Sequence, residues 1–248
     1  MWVLKKIGVL VAVVGITGCE STPTVEPGLS RFDSPEVHSE AFKMRASLGL
    51  EGKNIVSEDG LSESNNHPLR ADVAVTLGNG VEVSYLYSTD TKVALKYQFY
   101  GAPKEQLKVG NVSQAVSIGY VKSPEQSGRK KDRRWSQRYD YLDLAWVTGY
   151  RVAADKLIYG GVFYQRGEAT GEKYNFNFDI DCDWDNNSQR CFLNDFQTDG
   201  TNYGVNVGFE YQFSSWSSVM LEFVHGNAKW YGNSHAESAF GANFSFHF

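Results

Sequence analysis

Three groups of residues are of types that could do chemistry. Ser234, His235 and Glu237 are the right types for a hydrolase triad. Three residues so close in one segment rarely reach one another in the nucleophile–base–acid relay, however. Residues 122–137 are strongly basic, with Arg129, Lys130, Lys131, Arg133 and Arg134 within six positions. Guanidinium groups match phosphate oxygens bidentately, so this cluster could clamp phosphates; a plainly solvated loop is the other reading. Residues 174–185 alternate, with Tyr174, Phe176, Phe178, Ile180, Cys182 and Trp184 on one side and Asp179, Asp181, Asp183 and Asp185 on the other. Four carboxylates together could hold Ca²⁺, which prefers oxygen ligands. No EF-hand register fits, because the glycine and the closing glutamate are missing, so an acidic face without metal is the competing reading. The segment reads as a β-hairpin turning through Asn186, Asn187 and Ser188, locked by a Cys182–Cys191 disulfide.

The elements that must carry these residues are strands. Successive side chains of a strand point to opposite faces. The last eleven residues place Phe240, Ala242, Phe244, Phe246 and Phe248 on one side, and Gly241, Asn243, Ser245 and His247 on the other. The same pattern recurs upstream, as in Phe42, Met44, Ala46, Leu48 and Leu50, or Tyr203, Val205, Val207, Phe209, Tyr211 and Phe213. Further alternating segments cover 70–77, 81–87, 92–99, 116–120, 142–150 and 219–223, and one over 156–165 has no evident facing. An apolar outer face and a polar inner face are what a strand between lipid and a polar lumen requires.

Counted this way, the chain is all-β, an antiparallel transmembrane β-barrel of ten strands with long extracellular loops. Eight strands is the alternative, the first two then being an appendage. The connections test the count, since bacterial barrels use short periplasmic turns and long outer loops. The expected outer loops are 51–68, 88–91, 122–137, 167–201 and 226–236. The expected inner turns are Gly78-Asn79-Gly80, 101–111, 152–155 and 214–215. The tight outer turn at 88–91 and the long inner one at 101–111 break the rule.

A chain that ends on phenylalanine after such a strand resembles Gram-negative outer-membrane β-barrel proteins. The resemblance implies that the barrel assembly machinery reads the Phe248 strand as a C-terminal signal. The N-terminus agrees. Lys5 and Lys6 precede a short apolar run, Ile7 to Ile16, too short for the about 20 residues of a bilayer-spanning helix, so residues 1–18 read as a signal peptide. Ile16-Thr17-Gly18-Cys19 resembles a lipobox, which implies acylation of Cys19; Glu20, not Asp, follows, which implies export to the outer membrane. An ordinary signal peptide with Cys19 incidental is the alternative. Of three cysteines, acylation of one leaves Cys182 and Cys191 to pair in an oxidising compartment. Residues 19–39, rich in proline and small polar residues, read as a flexible periplasmic tether, and 40–248 as the barrel.

Removing residues 1–18 takes two lysines and no acid from a chain whose formal charge is already −5. That balance excludes a nucleic-acid partner, whose reader would be basic. No cofactor is expected. The expected partners are outer-membrane lipid and lipopolysaccharide, the latter through the basic loop.

With polar faces inward, Lys43, Arg45, Arg70 and Lys96 share the lumen with Asp72, Glu82, Asp143, Glu210 and Glu222. Eight-stranded barrels are filled by side chains and aqueous porins have 16 or more strands, so these charges should pair across a plugged interior. Two enzymatic kinds of outer-membrane barrel find no match. Lipid A deacylases use His-x-Ser-Asn, whereas Ala228 follows His225-Gly226-Asn227, and the Asp-x-His pair of omptin-like proteases is missing. The expected role is therefore non-enzymatic, structural in the envelope or binding at the surface through the loops. A narrow channel for small solutes is the second reading and a lipid-modifying hydrolase the third.

Overall fold

The computed structural model describes residues 22–59, 68–130, 133–175 and 193–248. Ten antiparallel strands form the barrel: β1 Ala41–Leu50, β2 Leu69–Gly78, β3 Val81–Tyr87, β4 Thr91–Tyr100, β5 Val112–Lys122, β6 Arg133–Ala153, β7 Lys156–Asn175, β8 Leu193–Ser214, β9 Ser217–Trp230 and β10 Asn233–His247. Each pairs with the next along the chain, and β10 closes on β1 with Ala242 opposite Leu50 and His247 opposite Arg45. Phe248 adds a last rung: its N–H donates to the Met44 carbonyl at 2.9 Å, and Met44 N–H donates back at 3.0 Å. The seam has no open edge, as lipid demands.

The two ends of the barrel differ. At one end the connections other than 101–111 are tight, as in Gly78-Asn79-Gly80, where all three residues have positive φ and two glycines make that conformation cheap. At the other end β6, β7 and β8 run to 20–22 residues, about twice the 9–11 needed to cross a bilayer. Their outward faces record where the membrane stops. Along β6 the exposed residues Leu142, Leu144, Trp146, Tyr150 and Val152 give way above Leu142 to Asp140 and Arg138. Along β7 the change falls between Tyr164 and Arg166, and along β8 between Tyr203 and Thr201. Tyrosine at the border is the aromatic girdle of such barrels. At about 3.3 Å per residue, and allowing for strand tilt, the wall stands roughly 25 Å above the lipid on the β6–β8 side. Long loops face outward in bacterial barrels, so this is the extracellular end and the tight turns are periplasmic.

The interior inverts at the same border. Within the membrane the lumen is lined mostly by polar and charged groups, with smaller apolar clusters around Phe163 and Tyr159. Above it the lumen holds a dry cluster of Val25, Val56, Val121, Tyr139, Tyr141, Ala169, Ala228 and Trp230. The projecting section is thus built like a water-soluble barrel and the membrane section inside out. Glycine makes room for the aromatics: a Cβ on Gly200 would lie 1.9 Å from the Trp230 ring, and one on Gly208 2.2 Å from the Tyr159 ring.

Several expected boundaries are corrected. Most of 122–137 and 226–236, and the described residues 167–175 and 193–201, are strand and not loop, because solvent-facing strands lose the apolar face on which their recognition depended. Gln126–Lys130 pairs with Arg133–Gln137 as a hairpin. The segment 51–68 is not simply an outer loop: residues 51–57 are buried in the barrel mouth. Strand β7 now has a facing, with Leu157, Tyr159, Phe163 and Gln165 inward. The irregular connections at 88–90 and 101–111 are real. The latter contains a short 3₁₀ turn, Lys104–Gln106, that folds under the lumen.

The largest correction concerns the tether. Residues 23–37 are not solvated; all but three are buried, and Val25, Leu29, Phe32 and Val37 are at most 1 % exposed. The segment threads the lumen from mouth to floor.

Candidate functional site: the threaded lumen

The threaded segment is held along its whole length. At the mouth, Thr24 and Val25 pair with Ser57 and Val56, and Gly28 bridges to Lys53. The Leu29 and Ser30 N–H groups both donate to the Gly52 carbonyl, at 2.9 and 3.2 Å. Tyr141 Oη accepts from the Gly28 N–H at 3.3 Å. Prolines 23, 27 and 35 suit such a path, because each removes a backbone donor that no ladder would satisfy.

At mid-membrane the chain bends around Glu222. This carboxylate accepts the Arg31 N–H at 2.6 Å, the Phe32 N–H at 3.0 Å and the Asn206 amide at 2.8 Å. The Arg31 guanidinium reaches Asp143 at 2.8 and 3.1 Å and Asp33 at 3.3 Å, and it lies over the Phe163 ring at 5.3 Å. Lys92 holds the second face of Asp143. Lower down, Arg45 bridges Asp72 (3.3 Å) and Glu82 (3.4 Å), and Lys96 pairs with Glu82 at 2.8 Å. Arg70 donates to the Ser30 carbonyl at 3.0 Å.

Near the floor, Glu36 receives Arg151 through Nε at 3.0 Å and through a second guanidinium nitrogen, and Asn111 at 3.0 Å. The Val37 N–H donates to Gln98 at 2.6 Å, and its carbonyl accepts from the Lys104 N–H at 3.1 Å. The Lys104 side chain turns up into the barrel to meet Glu210 at 2.7 Å. Ser39 then binds Glu105 at the periplasmic rim. Burial alone would raise the Glu105 carboxyl, but the Ser39 hydrogen bonds outweigh it and hold the group below the usual carboxylate range.

What space remains is small. One cavity of about 20 Å³ lies between Phe32 and His247 in the inner half, and another of about 20 Å³ between Gly28 and Asp143 in the outer half. Each is room for about one water molecule, and Arg31 and Phe32 stand between them.

Of the lumen charges expected from sequence, Arg70, Lys96, Asp72, Glu82, Asp143, Glu210 and Glu222 are buried inside and Arg45 is half-buried there, all of them paired or hydrogen-bonded; Lys43 lies at the rim beside Glu40. The sequence reading missed Arg31, Glu36, Lys53, Asp90, Lys104 and Arg151. The first two were assigned to a tether. A signal was present: Val25, Leu29, Phe32 and Val37 are more large apolar groups than a solvated linker needs.

The triad types are not brought together. Ser234 faces outward and donates to Asn227 at 2.9 Å, whereas His235, on the other face, lies 3.8 Å from Glu237. Consecutive strand residues cannot share a site. His225 instead meets Ser238 across β9 and β10 at 2.8 Å, on the lipid-facing wall. Glu237, the next residue, points the other way.

The backbone of Arg129, Lys130, Arg133 and Arg134 lies at the tip of the 126–137 hairpin, with Arg129 opposite Arg134 and Lys130 opposite Arg133. Lys131, the four aspartates 179–185, Cys182, Cys191 and Cys19 lie outside the described residues.

No protein-family model matches the chain, and no curated protein does. Among solved structures the fold is similar to the outer membrane protease OmpT of Escherichia coli (9 % identity, TM-score 0.43, covering 84 % of this chain and 91 % of that one). It is also similar to the copper transporter OprC (13 %, TM-score 0.33, 86 % and 43 %) and the toluene transporter TodX of Pseudomonas putida (7 %, TM-score 0.23, 84 % and 68 %). The chain is an all-β barrel of the outer-membrane type.

Proposed function

We propose that this protein is a non-conducting, non-enzymatic barrel that serves the envelope as a rigid, surface-projecting platform. The observation that carries the reading is the filled lumen: a covalently attached segment occupies the axis, and the cavities beside Phe32 and Arg31 among the described residues are single-water size. A conducting path needs continuous water, so the narrow-channel reading finds no support in this geometry. The hydrolase reading likewise lacks an assembled triad. What the fold does present to the outside is the raised wall of β6–β8 with the basic 126–137 hairpin beside it.

On this reading Arg129, Lys130, Lys131, Arg133 and Arg134 clamp lipopolysaccharide phosphates, and the outer leaflet itself supplies the partner. A Cys182–Cys191 disulfide stiffens the 174–191 hairpin, and Cys19 carries the lipid anchor. Calcium at Asp179, Asp181, Asp183 and Asp185 is a secondary possibility of the same surface. Purified protein in a planar bilayer is expected to pass no steady current while running as a folded band in an unboiled gel. Steady conductance from such folded protein would overturn the proposal.

A further inference from the structure

We infer that the chain enters its own barrel from the outside, so that the protein's N-terminal end is displayed at the cell surface and an acyl group on Cys19 would sit in the outer leaflet. This rests on the lipid-anchor reading only for the acyl group; the threading direction stands on separate observations.

The direction follows from the order of contacts. Thr24 and Val25 meet Ser57 and Val56 and join the dry cluster of Tyr139, Tyr141 and Trp230, which lies above the lipid border. Arg31 meets Asp143 and Glu222 within the membrane section. Glu36 meets Arg151 and Asn111 near the periplasmic turns, and Ser39 accepts from the Asn79 N–H at 3.0 Å in the tightest of those turns. The segment therefore descends once, and β1 rises again from Ala41. Ends and direction are fixed by hydrogen bonds at every level, not by a single contact.

Reach then decides where Cys19 can be. Only Glu20 and Ser21 lie between it and Thr22, and a fully extended chain covers at most about 3.6 Å per residue step, so three steps keep Cys19 within roughly 11 Å of Thr22. The hydrocarbon core is about 30 Å thick. From the mouth, Cys19 cannot return to the periplasmic leaflet, either around the barrel or through a lumen already full. The outer leaflet is the nearer one, and the wall is low on the side where the β3–β4 turn closes at Ser88 to Asp90, with Asp90 holding Lys53 at 2.9 Å beside the descending chain.

The test uses the full chain in intact cells, with an epitope tag inserted between Glu20 and Ser21 and, in a second variant, the same tag between Lys108 and Val109 in a periplasmic turn. Antibody is expected to bind the first tag equally before and after the outer membrane is permeabilised, and the second only afterwards. If both tags need permeabilisation, the inference fails. Should the inserted tag block assembly, Thr22→Cys in a Cys182→Ser, Cys191→Ser background is labelled with membrane-impermeant biotin maleimide; labelling confined to permeabilised cells overturns the inference in the same way. Mass measurement of the N-terminal peptide separates the two readings. A surface tag on a chain without acyl groups removes the lipid anchor and leaves the threading; an acylated chain with a periplasmic tag removes the threading and leaves the anchor.

Discussion

Replacing residues 23–38 by a glycine–serine linker of equal length is expected to turn a silent barrel into a conducting one. The linker keeps the connection to β1 but carries no group able to hold a place in the lumen, and a chain of this composition behaves as a flexible coil. Several wall groups then lose contacts to the segment. Asp143 loses Arg31, Arg151 loses Glu36, and Glu222 loses the Arg31 and Phe32 N–H donors. Buried charges without partners are costly, so water must follow the segment out of the lumen to hydrate them. The apolar volume of Leu29 and Phe32, both at most 1 % exposed, leaves with it and opens the axis between the two small cavities. Single-channel recording should show discrete steps where the unaltered protein shows a flat baseline. The heat-dependent gel shift must persist, since most of the barrel's hydrogen bonds run between wall strands. A silent, heat-modifiable variant would mean that wall side chains such as Arg45, Lys96 and Glu82 close the lumen by themselves.

How much of this was legible in the sequence divides along a physical line. Where a strand separates lipid from a polar lumen, alternation is strong and position is readable: Leu142, Leu144 and Trp146 announced β6, and the Phe240–Phe248 run announced β10. Eight of the nine expected lumen charges lie inside for the same reason. Where the strands rise above the lipid, the outward residues become Arg138, Asp140, Arg166 and Glu168, and the inward ones Tyr139, Tyr141 and Ala169. Alternation there changes sense within one strand, so the reading stopped at the border and called the rest loop. The threaded segment was illegible for a different reason. Its backbone bonds go to the wall, to Gly52 and to Gln98, not to a sequence-adjacent strand, and no periodicity records such partners. Proline, which usually marks a solvated linker, here fits a buried extended path whose donors are few.

The largest single-residue effect is expected at Glu36, and comparison with Arg31 shows why. Both belong to the threaded segment, and each pairs with a buried wall charge. Glu36→Ala strips Arg151 of both its guanidinium–carboxylate contacts and leaves it only the Ala154 carbonyl at 2.7 Å. Arg151 and Glu36 side chains are 2 % and 1 % exposed, so neither can turn to bulk water. Removing one partner of a buried pair costs about 3–5 kcal/mol. Arg31→Ala leaves Asp143 still bound to Lys92, which can take up part of the lost interaction, so its cost should fall clearly below that of Glu36→Ala. Glu36→Gln keeps hydrogen-bond acceptance from Arg151 and Asn111 but not the charge, and should fall between the two extremes. The double change Glu36→Met, Arg151→Met removes both charges and is expected to recover most of the loss, because apolar replacement of a whole buried pair is often neutral. Urea titration of the folded band, read as loss of heat-modifiable mobility, orders the four variants. If Glu36→Ala and the double variant were equally unstable, the cost would lie in lost packing of the segment and not in a stranded guanidinium. If Arg31→Ala proved the worse, the anchoring of the thread would sit at mid-membrane, and the floor contacts of Val37 and Lys104 would be secondary to it.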